Sequence, residues 1–164
     1  MTSSTDRIEK QVLLHYPLES VWEAISDAEE FGSWFGMRLH GPFVAGTRLT
    51  GEIAPTTVDP DVAASQKPYE GQRFDIMVDR IEPMRLFSFR WHPGVPDPDA
   101  DLSKEPTTLV VFELEERRDG TLLTITESGF DSIPLARRAE AFEGNEQGWA
   151  AQLTLIETYL AQAA

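Results

Sequence analysis

The residues best suited to chemistry in this sequence are a glutamate and a histidine at the ends of two predicted strands. Glu127 follows Leu123 and Ile125 at a spacing of two, so its carboxylate should share their buried face. A carboxylate there could act as a general base or hold a ligand hydroxyl. It could equally cap or pair at the strand end, with no chemical role. His92 is the second candidate for acid–base chemistry.

Aromatic residues nearby indicate a ligand pocket. Phe87, Phe89 and Trp91 alternate along one predicted strand and therefore share a face. Trp149 and Leu153 are four residues apart on a predicted helix, so they lie on one side of it. So much aromatic bulk is difficult to interdigitate without gaps, and we expect a cavity between this strand and this helix. A filled core is the alternative.

Other classes of site are disfavoured by composition. The chain has no cysteine, which excludes disulfides, thiolate zinc sites, cysteine-ligated iron–sulfur clusters and a cysteine nucleophile. His15, His40 and His92 are scattered without metal-ligand spacing. No P-loop, Rossmann glycine pattern or Gly-x-Ser-x-Gly elbow occurs. We therefore expect no metal and no cofactor.

Charge and hydropathy restrict the partners. The 28 acidic against 14 basic residues give a net charge of −14, which repels nucleic-acid phosphates and anionic lipids. No apolar run approaches the roughly 18 residues that cross a bilayer, and the N-terminus lacks a secretory signal pattern. We expect a cytoplasmic protein that binds no nucleic acid and does not insert into membranes.

The element expected to organise the chain is a long helix that begins near Pro134. Phe142, Trp149, Leu153 and later apolar residues form its buried stripe. Gly144 interrupts this pattern, as does Gly148, so we expect either fraying or a kink near Gly144, or a neighbour too close for a side chain.

Strands should supply the surface on which this helix packs. Period-two alternation predicts an edge strand at 8–16 and five further strands at 44–53, 73–82, 84–92, 107–116 and 120–130. The intervening segments 54–71 and 93–106, rich in Pro, Asp and Ala, are predicted surface loops. Two short helices follow the first strand, the first opened by Pro17 and the second ended by Gly36. The sequence thus predicts one α+β domain over residues 1–164, in which about six antiparallel strands curve around one long helix.

Two motifs in this order resemble a known family. PLESVWEAISDAEEFGSWFG near the N-terminus and LLTITESGF followed by EGNEQGWAAQLTLIETYL resemble the group of homologues of the activator of the heat-shock chaperone ATPase. That group lies within the START-like, helix-grip (SRPBCC) superfamily. The resemblance covers nearly the whole chain and implies a helix-grip fold. It also favours Trp34 and Phe35 as the mouth of a ligand pocket, whereas composition alone favours a core role for both.

The superfamily hosts carriers, receptors, cyclases and co-chaperone domains on one scaffold, so the fold does not settle the function. We expect binding of a small hydrophobic or aromatic molecule without catalysis, with Trp34, Phe35, Phe87, Phe89, Trp91, Glu127, Trp149 and Leu153 as the binding residues. One alternative is an enzyme of the polyketide-cyclase or hydrolase type that uses Glu127 or His92. The other is an interaction module for a chaperone or another protein partner.

Overall fold

The centre of the fold is a curved, open antiparallel sheet, in a computed structural model that describes residues 6–93 and 104–163. Its seven strands, in chain order, are β1 (Arg7–Leu14), β2 (Met37–Leu39), β3 (Arg48–Ile53), β4 (Arg73–Glu82), β5 (Leu86–Trp91), β6 (Thr108–Arg117) and β7 (Gly120–Ser128). Their spatial order is β1-β7-β6-β5-β4-β3-β2. Strands β7, β6 and β5 are therefore consecutive in the sheet.

Four α-helices accompany the sheet in the described part of the chain: α1 (Leu18–Ser26), α2 (Ala28–Phe35), α3 (Pro60–Gln66) and α4 (Leu135–Ala163). Short 3-10 turns span Lys67–Tyr69 and Phe130–Ser132. The long helix α4 buries Trp149, Ile156 and Leu160 in the same apolar core as the strands. This arrangement is the α+β helix-grip fold, and the predicted fold class is confirmed. None of the described helices is long and apolar enough to cross a lipid bilayer.

A single aspartate explains the tandem helices after β1. Asp27 ends α1, and its side chain accepts hydrogen bonds from the backbone N–H groups of Glu29 and Glu30, which caps α2. Gly36 ends α2 at φ 102°, a left-handed conformation that favours glycine. Phe35 is therefore the last residue of α2, and its ring contacts Trp91 of β5 and Trp149 of α4.

Strand register brings the polar residues of the inner face together. Trp91 on β5 lies opposite Thr108 on β6, and Val110 on β6 lies opposite Glu127 on β7. Because side chains two residues apart share a face, Thr108 and Glu127 are diagonal neighbours on the side that faces α4.

The structure adds two details to the predicted organisation. The sheet has seven strands in the described residues, where about six were predicted, because β2 is only three residues long and too short to show alternation. The segment 54–71, predicted as a loop, contains α3 and the first 3-10 turn. Helix α3 has no buried residue and so lacks an apolar period, although Asp59 caps it and Pro60 occupies its first turn. Most of the second predicted loop, 94–103, lies outside the described residues.

The glycines of α4 do not break the helix. Residues Leu135–Ala163 form one continuous helix, and a Cβ added at Gly144 or Gly148 would have no neighbour within 4 Å. The predicted alternative of a close neighbour is therefore wrong. Both glycines are exposed and lower helix stability without a packing reason.

Candidate functional site

The candidate site is built around the carboxylate of Glu127, whose residue is 0% exposed. The indole N–H groups of Trp91 and Trp149 donate to it over 2.7 Å and 2.8 Å, one to each oxygen. Thr108 donates its hydroxyl over 2.5 Å. Asn145 donates its amide to both oxygens, over 2.9 Å and 3.0 Å. We call these five residues the Glu127 cluster.

The cluster joins the sheet to the long helix. Glu127, Thr108 and Trp91 come from three adjacent strands, whereas Asn145 and Trp149 are four residues apart on α4 and therefore lie on one face of it. The hydrogen bonds of Asn145 and Trp149 to Glu127 therefore connect α4 to the sheet.

The electrostatics of the cluster are those of a charge held by neutral donors. No Lys or Arg of the described residues forms an ion pair with Glu127. An indole nitrogen can only donate a hydrogen bond, so each tryptophan requires an acceptor. Each of the two carboxylate oxygens supplies that acceptor for one indole. A buried carboxylate without partners would be strongly destabilising, and hydrogen bonds to a charged group contribute about 1.5–3 kcal/mol each. The five contacts together offset the cost of burying this charge.

Three aromatic rings form a wall beside the carboxylate. The ring centroids of Trp91 and Trp149 are 5.6 Å apart, and the planes are nearly stacked at 30°. Phe35 contacts both rings edge-on, with centroid distances of 6.0 Å to Trp91 and 5.8 Å to Trp149. Phe35 and Trp91 are only partly buried, so this wall reaches toward the surface.

The other aromatic residues of the predicted site lie deeper in the core. Phe87 and Phe89 are fully buried, and both pack against Phe112. Trp34 is also fully buried, and its indole N–H donates to the Ala24 carbonyl oxygen over 2.9 Å. These three residues support the wall from behind.

Leu153 and His92 lie at the edge of the candidate site. Leu153 is partly buried and packs against the core from α4, one turn after Trp149. His92 follows β5 directly, and its Nδ1 lies 3.3 Å from the Pro106 carbonyl oxygen. It is not among the hydrogen-bond partners of Glu127, so the two candidate acid–base residues do not form a pair.

Three polar residues of the site were missed from the sequence: Thr108, Asn145 and Gln152. Gln152 donates its Nε2 to the Phe35 carbonyl oxygen over 3.2 Å, and Gln66 of α3 donates to the same oxygen over 3.1 Å. The helical spacing 145, 149, 152 would have placed two of the three on the Trp149 face. Thr108 offered no signal beyond its position at the start of β6.

Three clefts lined by described residues lie elsewhere. One of about 640 Å³ lies beside α2 and β2, one of about 610 Å³ at the β6–β7 turn, and one of about 400 Å³ between α1, α2 and the end of α4. Glu127, Trp91 and Trp149 line none of these three. Within residues 6–93 and 104–163, no group of three or more His, Asp or Glu side chains is placed to hold a metal ion.

The smallest of these clefts contains a second polar contact between helices. Tyr159 of α4 donates its hydroxyl to Glu30 of α2 over 2.6 Å. Burial raises the pKa of the Glu30 carboxyl, and repulsion from the carboxylates of Glu23 and Asp27 adds to the rise, although the Tyr159 hydrogen bond opposes it. Burial and the same hydrogen bond raise the pKa of Tyr159. The tyrosine therefore keeps its proton and donates.

Comparison with known proteins assigns the chain to a family. A sequence profile described as "Activator of Hsp90 ATPase homolog 1-like protein" matches residues 15–161, which is most of the chain. The chain belongs to this family. The activator-like family has the helix-grip fold of the SRPBCC superfamily, a fold that binds hydrophobic ligands. No curated protein matches the sequence.

Several solved structures share this activator-like fold. A protein of Mesorhizobium loti superposes with a TM-score of 0.70 at 21% identity, over 96% of this chain and 98% of that one. A protein of Arthrobacter aurescens gives 0.74 at 16% identity, over 99% and 90%. These two likenesses show the fold alone. DynU16, a protein from the dynemicin biosynthetic locus, gives 0.68 at 25% identity, over 96% of this chain but 48% of that one.

Proposed function

We propose that this chain binds a small hydrophobic or aromatic molecule, without catalysis, where α4 meets the sheet at Phe35, Trp91 and Trp149. The observation that carries the proposal is that both indole N–H groups are engaged by the buried Glu127. Because the polar edges of the two rings are satisfied inside the protein, the ring surfaces that remain available are apolar. An apolar wall with a few fixed polar groups is typical of small-molecule sites.

Access to this wall is supported by the exposure of its outer members. Phe35, Trp91 and Leu153 are each partly exposed, whereas Trp149 and Glu127 behind them are buried. The α4 turn that carries Asn145 and Trp149 contains Gly144 and Gly148, with open space around both. Glycine lowers the cost of local helix distortion, so α4 can adjust here when a ligand enters.

The state of Glu127 argues against a catalytic role. A carboxylate has about four lone-pair positions, and five donor contacts already occupy its two oxygens. A general base needs a free lone pair within hydrogen-bond reach of the substrate proton. His92 contacts a different partner and does not assist it. A binding role therefore fits the cluster better than the cyclase or hydrolase alternative.

The test is calorimetric titration with 2-naphthol, a neutral flat probe, against the wild type and two variants of α4. Leu153→Trp adds bulk beside Trp149 and should abolish binding with little change in melting temperature. Leu135→Trp is the matched control, because Leu135 is on the same helix but 78% exposed, and it should bind like the wild type. In the wild type, each tenfold excess of probe over its Kd should add about 1.4 kcal/mol of stability by mass action.

Three results would contradict the proposal. If 2-naphthol neither releases heat on titration nor raises the melting temperature, the result favours the alternative that the chain is a protein-interaction module. If Leu153→Trp binds as tightly as Leu135→Trp, the probe lies elsewhere. If the probe is chemically turned over, the enzyme alternative gains.

A further inference from the structure

We propose that the ligand carries a hydrogen-bond donor, such as a hydroxyl or an amine, and that Gln152 Oε1 is the acceptor that selects it. This inference rests on the proposed function and narrows it to a chemical class. It depends on Gln152 Oε1, a buried atom that has no hydrogen-bond partner among the described residues.

The Gln152 amide is oriented by its nitrogen. Nε2 donates to the Phe35 carbonyl oxygen over 3.2 Å, which fixes which end of the amide faces α2. A reversed amide would place two oxygens against each other, so the assignment of nitrogen and oxygen follows from this contact. Oε1 is then buried, and no group of the described residues donates to it.

Gln152 belongs to the same surface as the candidate site. Asn145, Trp149 and Gln152 follow the spacing i, i+4, i+7 and form one stripe along α4. The carbonyl that receives the Gln152 amide is that of Phe35, whose ring contacts Trp91 and Trp149. Gln152 is therefore hydrogen-bonded to the residue whose ring contacts both tryptophans of the wall.

A buried acceptor without a donor destabilises the structure, and a ligand that supplies the donor removes that penalty. A ligand of the same shape without a donor leaves the penalty in place. Sites built to hydrogen-bond a ligand group discriminate against analogues that lack it for this reason.

The charge of the site points to the same ligand class. Gln152 Oε1, which no described residue supplies with a donor, accepts hydrogen bonds, and the buried Glu127 carboxylate behind the wall adds negative charge. No described Lys or Arg pairs with Glu127, and the chain carries a net charge of −14. An anionic ligand, such as a fatty acid carboxylate, would be repelled and would find no counter-charge. Neutral or cationic donor-bearing molecules are favoured.

Three naphthalene probes of similar shape test the inference in the wild-type protein by calorimetric titration. We expect 2-naphthol, which has a donor, to bind about tenfold more tightly than 2-methoxynaphthalene, which has none; tenfold corresponds to about 1.4 kcal/mol. We expect 2-naphthoate, which is anionic, to bind more weakly than either.

Two substitutions assign the selectivity to Gln152. Gln152→Met removes the acceptor and should bring the Kd values of 2-naphthol and 2-methoxynaphthalene within about twofold of each other. Gln162→Met is the matched control, because Gln162 is on the same helix but its side chain donates to the Val58 carbonyl oxygen, and it should keep the preference for 2-naphthol. The Phe35 carbonyl still accepts from Gln66 in both variants. The wild-type comparison does not depend on either variant folding.

The outcomes separate this inference from the proposed function. If the wild type binds none of the three probes, both are overturned. If it binds 2-naphthol and 2-methoxynaphthalene equally well, or 2-naphthoate most tightly, the binding function stands and the donor inference is overturned. A tenfold preference that persists in Gln152→Met also overturns the role of Gln152.

Discussion

Trp149 on α4 donates its indole N–H to the Glu127 carboxylate on β7 over 2.8 Å, and both residues are buried. This hydrogen bond connects the two halves of the fold at the position where the candidate ligand wall begins. The same contact therefore affects stability, through the burial of a charge, and binding, through the orientation of the Trp149 ring.

Replacing the carboxylate by an amide should destabilise the fold. In Glu127→Gln one oxygen becomes an NH2 group that faces the donors of Trp91, Thr108 or Trp149. We expect the free energy of unfolding to fall by about 2–3 kcal/mol, measured by urea titration. Glu113→Gln on the exposed side of β6 is the control and should change it by less than about 0.5 kcal/mol. Equal losses in the two variants would show that the cluster contributes nothing specific.

The indole of Trp149 makes two separable contributions. Trp149→Ala removes the ring and the donor and should cost about 3–5 kcal/mol. Trp149→Phe retains a ring and removes the N–H, so it should cost less, about 1–3 kcal/mol from the acceptor left without its partner. Chemical denaturation of both variants checks this order. A loss below about 1 kcal/mol for Trp149→Ala would contradict the burial of this side chain.

The long helix should become more stable when its exposed glycines are replaced. Gly144→Ala and Gly148→Ala should each raise the free energy of unfolding by about 0.5–1 kcal/mol, because the new Cβ meets no neighbour. Gly36→Ala is the opposite control, since Gly36 has φ 102° and its Cβ would lie 2.3 Å from Gln66 Nε2. Thermal denaturation should show two stabilised variants and one destabilised variant. Destabilisation by either α4 substitution would reveal a packing role for that glycine.

The contact between Glu30 and Tyr159 predicts a pH dependence. Burial raises the pKa of Glu30 above its ordinary value of 4.5, so between these two values the folded protein binds more protons than the unfolded chain. Stability from this group is therefore present below pH 4.5 and is lost as the pH rises through the raised pKa. Glu30→Gln lacks this titration but can still accept from Tyr159.

Urea titrations of wild type and Glu30→Gln between pH 4 and pH 7 measure this difference. The wild type should lose stability relative to the variant as the pH rises. A stability difference that is constant, or that changes in the wild type's favour, would contradict the raised pKa.

The sequence was sufficient to predict the helix-grip fold and the inward phase of the strand that carries Glu127. Alternation of Leu123, Ile125 and Glu127 is a local signal, and so is the helical spacing around Trp149. The strand signal is reliable because a one-residue shift in register would move the whole apolar set to the exposed face.

The partners of Glu127 could not be predicted in the same way. Thr108 reaches it through the register of β6 with β7, and Asn145 through the position of α4 over the sheet. Both depend on long-range pairing that no local period encodes. The short strand β2 and helix α3 were missed for a different reason, since neither is long enough or buried enough to show a period.

The most direct test of the binding proposal is a titration of ¹⁵N-labelled protein with 2-naphthol, followed through the indole N–H signals of its four tryptophans. Trp91 and Trp149 form the proposed wall and donate to Glu127, so their signals should shift together and saturate with a single Kd. Trp22 is on α1, outside the wall, so its signal should not move and serves as an internal control. Unchanged Trp91 and Trp149 signals at saturating probe, or a shift confined to Trp22 or Trp34, would contradict a ligand site at the meeting of α4 and the sheet.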